Sequence, residues 1–97
     1  MASTKEYRDF ILEQLSEAPN ITCRPMMGEF ILYSNGLIFG GIYDDRLLVK
    51  RVPKNAKYGM EEVVPYENAK PFYFVEDIDD KEKLAKIVED TVNGLPR

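Results

Sequence analysis

The apolar positions change period once along the chain and then change back. Tyr7, Phe10, Ile11 and Leu15 recur at the three-and-four spacing of a helix, and Ser3 followed by Glu6 fits a capping box. This predicts an amphipathic helix over residues 4–17, ended by Pro19 and Asn20. From Ile21 the helical period is lost. Residues 30–33 and 37–43 are apolar runs separated by Ser34, Asn35 and Gly36, and an Asn-Gly pair between β-rich runs is a strong hairpin signal. A second turn at Asp44 and Asp45 leads into residues 46–51, where Leu47 and Val49 alternate with Arg46, Leu48 and Lys50. The three runs make a meander. Pro53 stops the third run, residues 54–69 read as a connecting loop or short irregular turn, and residues 72–75, after Pro71, form a further strand. Asp79 with Glu82 repeats the capping pattern, and Leu84, Ile87, Val88 and Val92 form the inward stripe of a last helix ended by Gly94 and Pro96.

Helix, meander, loop, strand, helix implies an α+β, two-layer domain: an antiparallel sheet with N- and C-terminal helices packed on it, a single domain over residues 1–97. A packing problem follows. In the first two runs both alternating sets are largely apolar, with Phe30 and Leu32 against Ile31 and Tyr33, then Leu37, Phe39 and Tyr43 against Ile38 and Ile42. Two short helices cover one face of such a sheet, and an antiparallel sheet leaves its other face wet only when that face is polar. The second face is therefore expected to meet another chain, most simply a copy of this one. The alternative is that residues 54–69, with Tyr58, Met60, Val63, Val64 and Tyr66, fold back over it.

Composition removes several chemistries. The 97 residues contain no His, which excludes His-based triads, imidazole metal ligands and a His general base. Cys23 is the single thiol, so neither an internal disulfide nor a cysteine-rich zinc site forms, and its place before apolar strands favours a buried, inert group over a thiolate beside Arg24. The acidic run at Glu76, Asp77, Asp79 and Asp80 lacks the ligand spacing of a calcium loop and is better suited to capping the final helix. Gly40 and Gly41 lie within a strand run and point to a bulge or a close backbone approach. Nothing assembles a nucleophile, a base and an oxyanion site, so no catalytic, cofactor or metal residues are expected.

Charge and hydropathy add a location and a partner class. The net charge of −4 argues against direct DNA binding, yet residues 20–58 hold six cations against three carboxylates, while residues 59–97 hold five against ten. The locally basic centre is either a solvated strand edge or a docking patch for an acidic protein or a phosphate. No stretch is long and apolar enough to cross a bilayer, and no signal-like start is present, so a cytoplasmic protein without a membrane role is expected.

At Arg24, Pro25, Met26, Met27, Gly28 and Glu29 the chain resembles the Arg-x-Met-Phe-Gly-Glu opening of the TfoX/Sxy N-terminal domain family. The similarity continues through Leu32 and Tyr33, the Asn35-Gly36 turn, and Asp44, Asp45, Leu47, Val49 and Lys50. It resumes at Pro65, Tyr66, Ala69, Lys70, Pro71, Phe72 and Tyr73, and again at Asp79, Asp80, Leu84 and Leu95-Pro96. Met27 stands where the family usually has Phe. The resemblance implies a two-layer α/β domain with an antiparallel sheet. It also implies a connection to regulation, because founding members are regulators of natural DNA-uptake competence that work as coactivators with the cyclic-AMP receptor protein. Those regulators carry a second, C-terminal domain with no counterpart here, so the competence role itself is not carried over.

The expected function is a non-enzymatic regulatory and protein-interaction module, homodimeric, that meets a protein partner through the sheet face and the basic centre. The candidate interaction residues are Arg24, Met26, Gly28, Arg46, Lys50 and Tyr73. Arg24 either pins the sheet by holding Asp44, Asp45 or Glu29, or faces a partner. Gly28 supplies an unusual dihedral before the first hairpin strand, and Met26 and Met27 are adaptable apolar filler. Arg46 and Lys50 share a strand face, and Tyr73 is aimed at either core or interface. The alternative function is a small-ligand or nucleotide sensor with a pocket between sheet and helices.

Overall fold

The computed structural model describes residues 3–96. Its first helix, α1 (Lys5–Gln14), is capped by Thr4, whose hydroxyl accepts from the Tyr7 N–H at 3.1 Å. Ser3, the expected cap, is engaged elsewhere, since its N–H and Oγ both donate to Glu29 Oε1, at 2.9 and 2.6 Å. The helix stops before residue 17 because the chain tightens into turns, Ser16 N–H bonding Glu13 O and Ala18 N–H bonding Leu15 O ahead of Pro19.

Six antiparallel strands follow in the spatial order β1-β2-β3-β4-β6-β5: β1 (Ile21–Met26), β2 (Glu29–Ser34), β3 (Leu37–Ile42), β4 (Leu47–Val49), β5 (Glu61–Val63) and β6 (Phe72–Phe74). The meander therefore has four strands, with β1 added at its edge. The first three hairpins turn through paired left-handed residues: Met27 and Gly28 (φ 49° and 85°), Asn35 and Gly36 (52° and 80°), Asp44 and Asp45 (54° and 53°). Two successive positive φ values make the type I′ turn, whose twist suits a tight hairpin. Residues 54–69, expected as a connecting loop or short irregular turn, contain most of a 3-10 helix (Pro53–Tyr58) and the edge strand β5. Strand β6 inserts between β4 and β5, joined to β4 by the pairs Leu48 with Phe74 and Val49 with Tyr73 and by a 3.0 Å bond from Val75 N–H to Leu47 O. The final helix, α2 (Lys81–Asn93), starts at Asp80, not Asp79, through a 3.1 Å bond from Lys83 N–H to Asp80 Oδ1.

Both helices cover one face of the sheet. Ile11 and Leu15 from α1 and Leu84, Ile87, Val88 and Val92 from α2 pack on Phe30, Leu32, Phe39, Ile42, Leu47, Val49 and Val75. Phe39 reaches this inner face through a bulge, because the register shifts between Leu32 with Gly40 and Tyr33 with Ile38. Beside it a Cβ on Gly40 would sit 2.1 Å from the Leu48 carbonyl oxygen, so only glycine lets β3 and β4 close. Asn55, fully buried, accepts from Val52 N–H (3.1 Å) and donates to Lys50 O (2.8 Å) and Thr91 Oγ1 (2.9 Å), locking the end of β4 to α2.

Candidate interaction surface

The residues that alternate with the core define the outer face of the sheet. Arg24, Ile31, Gly41, Leu48 and Phe74 form one rung across it, and Thr22, Tyr33 and Ile38 form another. Leu48 is fully buried although it points away from the helices. Tyr43 explains part of that cover, because its ring lies over Gly41, where a Cβ would meet Tyr43 Cε2 at 2.7 Å. Tyr43 in turn meets the rings of Tyr66 and Phe72 at centroid distances of 6.2 and 6.0 Å. Of the residues 54–69 expected to fold back over this face, Tyr66 does so at one end, while Tyr58 and Met60 pack against the core and Val64 stays exposed. Toward β1 the cover thins: Ile31 and Tyr33 are half-buried, and Ile38 is 37% exposed.

Where the covering segment ends, Met26, Met27, Glu29, Tyr43, Pro65 and Tyr66 line a groove of about 460 Å³. Its walls are chiefly apolar, and its carboxylate is already occupied: Glu29 accepts from Ser3 and from Asp44 N–H. Met27 is not filler. It is 98% exposed at the hairpin tip and adopts a left-handed conformation that a long side chain disfavours.

The six candidate residues do not converge on one site. Arg24, Met26 and Gly28 lie together at the β1–β2 hairpin, with Arg24 and Met26 on the outer face and Gly28 in the turn. Arg24 holds none of the three carboxylates considered for it, since Asp45 accepts from Thr4 N–H, Glu29 is taken by Ser3, and no ion pair involves Arg24 among the described residues. Instead its guanidinium lies 5.9 Å from the centre of the Tyr33 ring. Arg46 is tied to its own turn through Nε to Tyr43 O at 3.3 Å. Lys50 lines a separate cleft at the other end of β4. Tyr73, paired with Val49, belongs to the inner face and packs against the core. Cys23 is also on the inner face, where burial pushes its thiol up, against thiolate chemistry. Pro65 and Tyr66, which complete the groove, are not among the six; a Pro-Tyr pair inside a polar connection is the sequence signal that points to them.

Such an arrangement defines an α+β domain that offers a partly covered sheet face for contact. Among the described residues no helix is long and apolar enough to cross a membrane. The family model for the TfoX N-terminal domain matches residues 13–94, and the chain belongs to that family. A comparison with curated proteins found no match.

Proposed function

We propose that this domain is a non-enzymatic regulatory module of the cytoplasm that works by protein contact, pairing with a second copy of itself and with a protein partner across the outer face of the sheet. The observation that carries the proposal is the half-buried apolar stretch at Ile31, Tyr33 and Ile38, bordered by Arg24 without a carboxylate partner among the described residues. Covering such surface stabilises by roughly 25 cal/mol per Å² of apolar area before the costs of association. Membership of the TfoX N-terminal family supports a regulatory setting.

The test is mass. Light scattering at tens of micromolar is expected to give two chains per particle for the native protein and one for Ile38→Glu, with the same circular dichroism spectrum for both. A single-chain mass for the native protein refutes self-pairing. For the partner, Arg24→Glu is expected to abolish recovery of a specific cytosolic protein in a pull-down; equal recovery by the variant removes this face as the contact.

A further inference from the structure

We propose that the cleft between the end of β4, the entry to β6 and the end of α2 binds a small aromatic anion, a ring carrying a carboxylate or a phosphate. The proposal stands apart from the outer-face contact. Lys50, Arg51 and Lys70 line this cleft together with Val52, Phe72 and Leu95, around a volume of about 290 Å³. That is close to the lower end, roughly 300 Å³, of small-ligand pockets. Three cations meet here in a chain whose net charge is −4, and one carboxylate, Glu62, offsets them through its ion pair with Arg51.

Arg51 and the backbone of Lys50 are held on a fixed frame. Arg51 donates from Nη1 to Glu62 and from Nε to Pro71 O (3.2 Å), which sets the guanidinium plane and leaves Nη2 without a partner among the described residues. Buried Asn55 grips the backbone on both sides of Arg51, at Lys50 O and Val52 N–H. Lys50 N–H is anchored to Phe39 O at 2.7 Å. The Arg51 guanidinium and the backbone that carries Lys50 are thus set in place before a ligand arrives.

The lining decides the ligand class. An inorganic anion would meet the cations but not the partly exposed sides of Phe72 and Leu95 that wall the cleft. A neutral hydrocarbon would cover those side chains and leave the cations unpaired. An anionic group on a flat apolar ring uses both, the ring against Phe72 and the charge toward Lys50, Arg51 and Lys70.

The experiment is an amide-resolved NMR titration of the full chain at low salt with 1-naphthyl phosphate and, separately, 1-naphthoate, which distinguish the two anionic groups. Inorganic phosphate and 1-naphthol serve as comparators. Saturable shifts at Arg51, Val52, Phe72 and Leu95 with either naphthyl anion, at least about tenfold weaker in Lys70→Glu and in Lys50→Gln, support the site. Lys70 is exposed, so an unchanged melting curve for its variant shows that the fold is intact. The proposal is overturned if neither naphthyl anion shifts those amides saturably up to millimolar concentration. It is also overturned if Lys70→Glu binds as well as the native chain, or if phosphate or naphthol alone binds equally well.

Discussion

Met27→Asn is expected to stabilise the isolated domain. Met27 occupies the first left-handed position of a type I′ turn at φ 49°, where a side chain with a long stem is disfavoured by about 1–2 kcal/mol and Asn is tolerated through its short polar group. At 98% exposure the methionine has almost no packing to lose, so the backbone term stands alone and the gain is about 1 kcal/mol. For a domain of this size that raises the melting temperature by roughly 4–8 °C. The assay is thermal unfolding followed by circular dichroism at low micromolar concentration, where self-association contributes least. The second hairpin supplies the reverse experiment, because Asn35 holds the same turn position at φ 52° and also accepts a bond from Asn20 Nδ2. Asn35→Met is expected to lower the melting temperature by more than Met27→Asn raises it. An unchanged or lower value for Met27→Asn would refute the strain argument and show that Met27 is packed in solution. If the turn strain is kept because Met27 makes contact with a partner, the stabilised variant should also associate more weakly.

Three further outcomes follow from the interior. Gly40→Ala places a Cβ against the Leu48 carbonyl and the Val49 Cα, backbone atoms that cannot swing aside; urea unfolding is expected to show a loss of about 3 kcal/mol. Asn55→Ala strands the Val52 N–H and the Lys50 carbonyl in the interior, and the same measurement should show a loss of about 3 kcal/mol. Tyr58 donates to Asp90 Oδ2 at 2.6 Å, a bond that, with Lys57, holds the Asp90 carboxyl below its ordinary range, while burial and Asp90 push the Tyr58 phenol up to about 12. The lowered carboxyl stabilises the fold above its unfolded pKa, and this is lost as pH falls through the folded value. The raised phenol stabilises below pH 10, and this is lost as pH rises toward about 12. Tyr58→Phe is expected to lose about 1.5 kcal/mol at neutral pH and to flatten both limbs in pH-dependent urea unfolding.

The parts of the fold legible in the sequence are those where one local signal dominates. Leu84, Ile87, Val88 and Val92 sit at helical spacing and all four are buried; Asn35-Gly36 and Asp44-Asp45 carry residues that accept positive φ, and both are turns. Strand β1 is not visible there because Thr22, Arg24 and Pro25 interrupt its apolar pattern, as suits an edge strand, and its turn opens with a methionine where Asn or Asp is the usual signal. Strand β5 is hidden by Glu61 and Glu62 on the opposite edge. At the surface, the grouping of Arg24, Met26 and Gly28 is readable from their adjacency. The side taken by Tyr73 is not, since it depends on the pairing of a three-residue strand with Val49, a contact across 24 positions of chain. Arg24 likewise depends on tertiary placement: Ser3 bonds Glu29, Thr4 bonds Asp45, and the guanidinium lies beside the Tyr33 ring.

The narrow join between β4 and β6 gives the sheet a seam. On one side lies a ribbon of four successive strands joined by short-range turns, so its contacts are local in sequence. On the other, β5 and β6 make a two-stranded flap stitched to that ribbon by two paired rungs and the bond from Val75 N–H to Leu47 O. Tyr73 and Val75 beside this join pack in the core, so swinging the pair aside would uncover the core as well as bare the β4 edge.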